Sequence, residues 1–222
     1  MEVMDEEFGG TLVVLGAGDT LDSVPKSHRQ LITPGIQLWW ADPKAAIRRV
    51  ADENVTPKMS RWFRKLADEG DWQLELHSAD HGETRAGFWW ECPGVRGAEI
   101  GPPSGKALPE EFPVGLRDYY QFVGFVDWMG FGASGGLEGP GGHPALKAFN
   151  FPLCGDGVDP GDTFIFGWGP GGAMLIYTGA GRGGWVSPGS GKVHLLGSVL
   201  ETVDWVYGEL LADRCPDYDY SW

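Results

Sequence analysis

The stretch Gly161–Trp185, GDTFIFGWGPGGAMLIYTGAGRGGW, constrains the fold more than any other part of the chain. Two apolar runs, Thr163–Phe166 and Ala173–Thr178, flank the turn material Gly167-Trp168-Gly169-Pro170-Gly171-Gly172. Short β-prone runs bounded by glycine and proline read as strands joined by a turn. The run Ala173–Tyr177 is apolar almost throughout, as in a strand covered on both faces. A second glycine cluster, Gly179–Gly184, follows, and then a third candidate strand at Lys192–Leu196. The strongest helical pattern comes next, Ser198–Ala212. Its apolar stripe is Val199, Val203, Val206, Leu210 and Leu211, and Ser198 with Glu201 has the spacing of a capping box. A β-meander followed by a helix is the expected centre of the fold.

Upstream, Thr11–Leu15 reads as a buried strand that exits at Gly16 and Gly18. Asp19–Arg29 reads as a helical turn ending at Pro25 or as a loop, and Gln37–Trp40 as a second strand. Pro43 opens a helix to Asp52, with proline at its favoured first position. Pro57 opens another, in which Trp62, Phe63, Leu66 and Ala67 form the apolar stripe while Arg61, Arg64 and Lys65 face away. Trp72–His77 alternates apolar and polar residues as a half-buried strand does, and Arg85–Glu91 pairs with it in a hairpin. Gly115–Phe125 places Leu116, Tyr119, Tyr120 and Val123 on one helical face, and Pro144–Phe149 reads as a short strand or helical turn. The stretch Pro93–Lys106, rich in Gly, Pro and Ser, is the best internal boundary. Read as a long loop, it leaves one α+β domain over 1–222, with a weak boundary at 93–107 and a tail, 213–222, that is ordered only in part.

Composition narrows the functional classes. The chain has 222 residues, 42% apolar and 22% charged, which is enough to bury a core. Its 36 glycines, 16 prolines and 11 tryptophans fit many turns and short strands plugged by aromatic rings. A formal net charge of −14 repels phosphate backbones and anionic membranes and favours basic partners, or simply keeps the chain dissolved. The cysteines, Cys92, Cys154 and Cys215, form no Cys-x-x-Cys pair, which fits free thiols in a reducing compartment. No apolar run approaches the roughly 20 residues of a membrane span, and the acidic start MEVMDEEF is unlike a signal peptide. The expectation is an intracellular, cytoplasmic protein that binds neither nucleic acid nor membrane.

The candidate chemistry is sparse. Gly16-Ala17-Gly18 after a strand lacks the third glycine of a dinucleotide turn, Leu21 standing there. Gly189-Ser190-Gly191-Lys192 has Val186 and Val193 where a phosphate loop needs Gly and Ser or Thr. His77 and His81, with Glu75 and Glu83 nearby, have zinc-chelating spacing for a helix, but the alternation around them predicts a strand, on which the two rings diverge. No nucleophile elbow or paired nucleophile is present, so no catalytic residue, cofactor or metal is expected. Asp156, Asp159 and Asp162 resemble the start of a calcium loop, but Gly167 stands where that loop needs glutamate. They read as turn-forming aspartates or as an electrostatic contact for a basic partner. Trp128, Phe131, Trp168 and Trp185 fall in glycine-rich loops and serve either as core plugs or as binding anchors.

Leu108-Pro109-Glu110-Glu111-Phe112, followed by Arg117–Gly124 (RDYYQFVG), is similar to the LP-x-x-Φ…Φ segment (Φ, bulky apolar) of the SUKH superfamily. Gly161–Phe166 resembles that superfamily's GD strand, Ala173–Tyr177 its next strand and Ser198–Val203 its closing S-Φ-x-x-Φ helix. Leu12–Gly16 with Leu21 and Pro25 resembles the opening of its viral branch. The superfamily groups yeast cell-wall regulators, bacterial toxin-immunity proteins and early proteins of large DNA viruses. The resemblance implies an α+β fold with a central, mostly antiparallel sheet and helices packed around it. It also implies a non-enzymatic protein-binding role, neutralising a toxin or antagonising host defence.

Three readings follow for the function. The first is a module that sequesters another protein, a basic one by charge complementarity, through Asp156, Asp159 and Asp162 and the aromatic loops. The second is a virion or assembly protein acting by self-association. The third is a metal enzyme built on His77 and His81.

Overall fold

Leu15, Leu74, Phe88, Ile100, Val126 and Leu137 pair one with the next across six neighbouring strands, and each is essentially without solvent exposure. That row is the spine of an eleven-stranded antiparallel sheet whose strands lie side by side in chain order. In the computed structural model the described residues are 1–5, 10–53, 56–79, 84–105, 108–110, 112–128, 135–141, 143–149, 153, 157–169, 172–187 and 189–215. The strands are β1 (Glu2–Asp5), β2 (Gly10–Leu15), β3 (Asp71–Ala79), β4 (Arg85–Glu91), β5 (Ala98–Gly101) and β6 (Phe125–Asp127). They continue with β7 (Gly136–Leu137), β8 (Thr163–Trp168), β9 (Met174–Thr178), β10 (Arg182–Val186) and β11 (Val193–Ser198). The described residues form five α-helices, α1 (Pro34–Ala41), α2 (Pro43–Glu53), α3 (Pro57–Glu69), α4 (Val114–Tyr120) and α5 (Val199–Leu211). The class is α+β, as expected.

The helices start where local chemistry satisfies their first N–H groups. The Thr33 hydroxyl accepts from the Ile36 N–H, the Asp42 carboxylate from Ala45 and the Thr56 hydroxyl from Met59; a proline follows each cap. Ser198 and Glu201 form the expected capping box on α5. Gln37–Trp40, expected as a strand, is instead part of α1, because Thr33 and Pro34 nucleate a helix that buries Ile36 and Trp39 on one side. The expected helix at 115–125 ends at Tyr120, and Phe125 opens β6. Within the 93–106 stretch, β5 joins the sheet between β4 and β6. The Arg96 N–H donates to the Leu210 carbonyl, and the Trp62 indole donates to the Arg96 carbonyl, so this stretch is tied to both α5 and α3.

The helices cover one face of the sheet. Trp62 and Phe63 of α3 pack on Tyr207 of α5, with ring centroids 5.3 and 5.7 Å apart. Tyr119 of α4 reaches the same place, its hydroxyl 3.1 Å from that of Tyr207. Burial raises the Tyr207 phenol well above its ordinary pKa. On the other face, Ile165, Ile176, Met174 and Val186 form a smaller apolar cluster with Leu146, which lies in a short 3-10 turn, Leu146–Phe149. Ile165 and Ile176 face each other directly across β8 and β9, as the meander reading requires. Among the described residues no helix is long and apolar enough to cross a membrane.

Candidate functional site

On the face away from the helices, β3 to β6 carry charge where apolar side chains would be the rule. Gln73, Glu75 and His77 alternate along β3 with the core residues Leu74 and Leu76. Arg85 pairs with His77 across β3 and β4, Trp89 with Glu99 across β4 and β5, and Glu99 with Asp127 across β5 and β6. Glu75, His77, Glu99 and Asp127 are all buried, and Arg85 keeps 18% of its side chain exposed.

The geometry is that of a compact ionic network. Arg85 Nη2 contacts Glu99 Oε2 and lies 2.8 Å from Asp127 Oδ2. His77 Nε2 is 3.4 Å from Glu75 Oε2 and 3.8 Å from Glu99 Oε1. The Gln73 amide donates to Glu75 Oε1 at 2.7 Å. Two glycines make room: a Cβ on Gly87 would stand 2.6 Å from Glu99 Oε1, and one on Gly101 would collide with the Phe125 ring. The guanidinium of Arg85 sits over that ring, 5.4 Å from its centroid. Burial pushes the Glu99 carboxyl up to about 7, with Arg85 and His77 pulling the other way.

Sequence reasoning singled out His77 and Glu75 but missed Glu99, Arg85 and Asp127 as their companions. The available signal was a glutamate in the middle of the short apolar run Ala98–Gly101. His81 and Glu83 lie outside the described residues.

The other expected site residues divide between the two faces. Asp159 and Asp162 are exposed. The Asp159 carboxylate accepts from the Gly161 N–H at 2.7 Å and its carbonyl accepts from the Thr163 hydroxyl at 2.7 Å, the geometry of turn-forming aspartates. Trp168 is half-buried and meets Phe149 edge-on, with centroids 5.4 Å apart. It shares a cross-strand row with Asp127, separated from it by Gly136. Trp185 lies on the opposite face, stacked between His194 and Trp205 at 5.1 and 4.6 Å. Trp128 has no exposed surface and belongs to the main core, so its expected contact role is corrected to packing. Asp156 and Phe131 lie outside the described residues.

Two further places among the described residues bring polar side chains together. His143 stacks on Phe112 at 4.7 Å, with its Nε2 2.8 Å from the Tyr120 hydroxyl and its Nδ1 3.3 Å from that of Tyr177. Burial lowers its pKa to about 4. An open groove of about 330 Å³ is lined by Asp19, Trp40, Asp42, Lys44 and Trp72. No family model matches the chain, and no similar protein is found among either the curated proteins or the solved structures.

Proposed function

We propose that this chain is a non-catalytic protein-binding module that sequesters a basic partner protein. The observation that carries the reading is the pairing of exposed Phe149 with Trp168, on a segment bonded to the acidic turn that holds Asp159. Phe149 is 44% exposed, a large apolar ring facing water. The segments that carry these residues are joined by backbone hydrogen bonds from Lys147 N–H to the Pro160 carbonyl and from Ile165 N–H to the Pro144 carbonyl. An aromatic anchor inside a charged rim is the usual anatomy of a protein interface.

Charge distribution supports the same reading. Seven of the 17 basic residues lie in Pro43–Glu69, beside four acidic ones. The rest of the chain holds ten basic residues against 27 acidic ones. A basic partner is therefore steered away from α2 and α3 and toward the remainder of the molecule, which raises association rate more than affinity. The SUKH resemblance adds the expectation of a toxin or a host-defence factor as that partner.

The test is to recover the partner from toxin-bearing or infected-cell lysate at low salt, purify it and measure binding kinetics. Reversing Asp159 and Asp162 to lysine slows association about tenfold at low ionic strength, and Phe149→Ser with Trp168→Ala speeds dissociation. Unaltered kinetics in both variants would overturn the reading. A second reading, self-association, is favoured by one observation: Val3 and Met4 on β1 are exposed, and among the described residues β1 pairs only with β2. A strict monomer by solution mass measurement excludes it.

A further inference from the structure

We propose that Glu75, His77 and Glu99 form a binding site for one divalent transition-metal cation of the zinc or manganese class. The site is separate from the surface around Phe149 and Trp168, and it stands or falls independently of the binding-module reading.

One oxygen of each glutamate is already engaged. Glu75 Oε1 is held by the Gln73 amide, and its Oε2 turns toward His77 Nε2. Glu99 Oε2 is held against Arg85, and its Oε1 turns toward the same imidazole nitrogen. Each carboxylate thus has one oxygen fixed from outside and the other aimed at a common point. That is how supporting groups orient metal ligands. The three ligand atoms all lie within 4.8 Å of one another. Around an ion with bonds of about 2.1 Å, tetrahedral ligand atoms stand about 3.4 Å apart, and the separations from His77 Nε2 are 3.4 and 3.8 Å.

Charge is the second, independent observation. Glu75, Glu99 and Asp127 bring three carboxylates into a buried network in which Arg85 is the guanidinium. With the imidazole neutral, the form that ligates metal, and both glutamates ionised, these five side chains together carry two negative charges. One divalent cation cancels both. Glu99 has no exposed surface, and its Oε1 has no hydrogen-bond partner among the described residues. A buried carboxylate oxygen in that state is costly. Two carboxylates and one imidazole are a mixed oxygen and nitrogen donor set, suited to zinc or manganese rather than to the all-oxygen shell of calcium.

The test uses the full chain, stripped with a chelator and dialysed. It is titrated separately with Zn²⁺, Mn²⁺ and Co²⁺ by calorimetry, with elemental analysis of the product. The expected result is one ion per chain, a visible Co²⁺ d–d spectrum that Zn²⁺ displaces, and a Kd weakened at least about 100-fold in Glu75→Gln and His77→Gln. His194→Gln, on the opposite face against Trp185, keeps the wild-type affinity. Absence of stoichiometric uptake of any of the three ions by the wild-type chain overturns the proposal. So does an unchanged Co²⁺ spectrum in a folded His77→Gln variant. The wild-type cobalt spectrum needs no variant, so the proposal is tested even where a substitution prevents folding.

Discussion

The ring of Phe125 occupies the space that a side chain at Gly101 would need. A Cβ there would fall inside the van der Waals envelope of Phe125 Cε1 and Cδ1. Gly101→Ala therefore displaces the ring, and with it the surface on which Arg85 rests. The expected loss is about 1–3 kcal/mol, as for other overpacked sites. Gly18→Ala, where a Cβ meets nothing within 4 Å, stays within about 0.5 kcal/mol of the wild type. Urea denaturation of the two variants beside the parent checks both figures.

Arg85 is the cation between Glu99 and Asp127. Arg85→Met leaves both carboxylates without it, and removing one partner of a buried pair costs about 3–5 kcal/mol. Adding Glu99→Gln to Arg85→Met removes one of the two carboxylates that Arg85 faced and restores part of that loss. A double-mutant cycle measures the coupling; additive single effects would show that the two side chains do not depend on each other.

His143 sets a pH dependence with a definite sign. Its pKa is about 4 in the folded chain against 6.5 for an ordinary histidine, so the fold prefers the neutral ring. The stabilisation is fully present above pH 6.5 and is lost as pH falls from 6.5 through 4. The whole window amounts to roughly 3 kcal/mol. His143→Gln lacks that slope. The comparison is the difference in unfolding free energy between parent and variant at pH 7.5 and pH 4 (conditions roughly bracketing the window); a difference independent of pH refutes the assignment.

The capping box at the start of α5 offers a surface test. The Ser198 hydroxyl accepts from the Glu201 N–H, and the Glu201 carboxylate accepts from Gly197 N–H at 2.7 Å and from Ser198 N–H. Ser198→Ala removes one side of the box and lowers stability by about 1 kcal/mol. Ser198→Asp keeps the acceptor and is expected to fall within a few tenths of the parent in thermal denaturation.

Where the sequence was legible, local chemistry decided the structure. Pro43, Pro57 and Ser198 mark helix starts that side chains and backbone then satisfy on the spot. β10 was not legible, because Gly183 and Gly184 read as turn residues. Their role is close approach: a Cβ on Gly183 would lie 2.6 Å from Val199 Cα, and one on Gly184 would run into the His194 carbonyl. Trp39 and Trp40 resembled a strand because two adjacent aromatics say little about period; the cap at Thr33 decides for the helix. The charged network was half visible. Glu75 and His77 stand out on one strand, but Glu99 and Asp127 reach them only through sheet pairing, which no local pattern encodes.

Strand order that follows chain order has a consequence for biosynthesis. Each strand leaving the ribosome finds its neighbour already made, so hydrogen-bonding can advance in step with translation. The lid comes last: until α5 emerges, Trp62 and Phe63 of α3 have no Tyr207 to rest on. A nascent chain halted before residue 199 therefore presents a greasy, half-finished surface, and that is the stage at which a chaperone has most to hold.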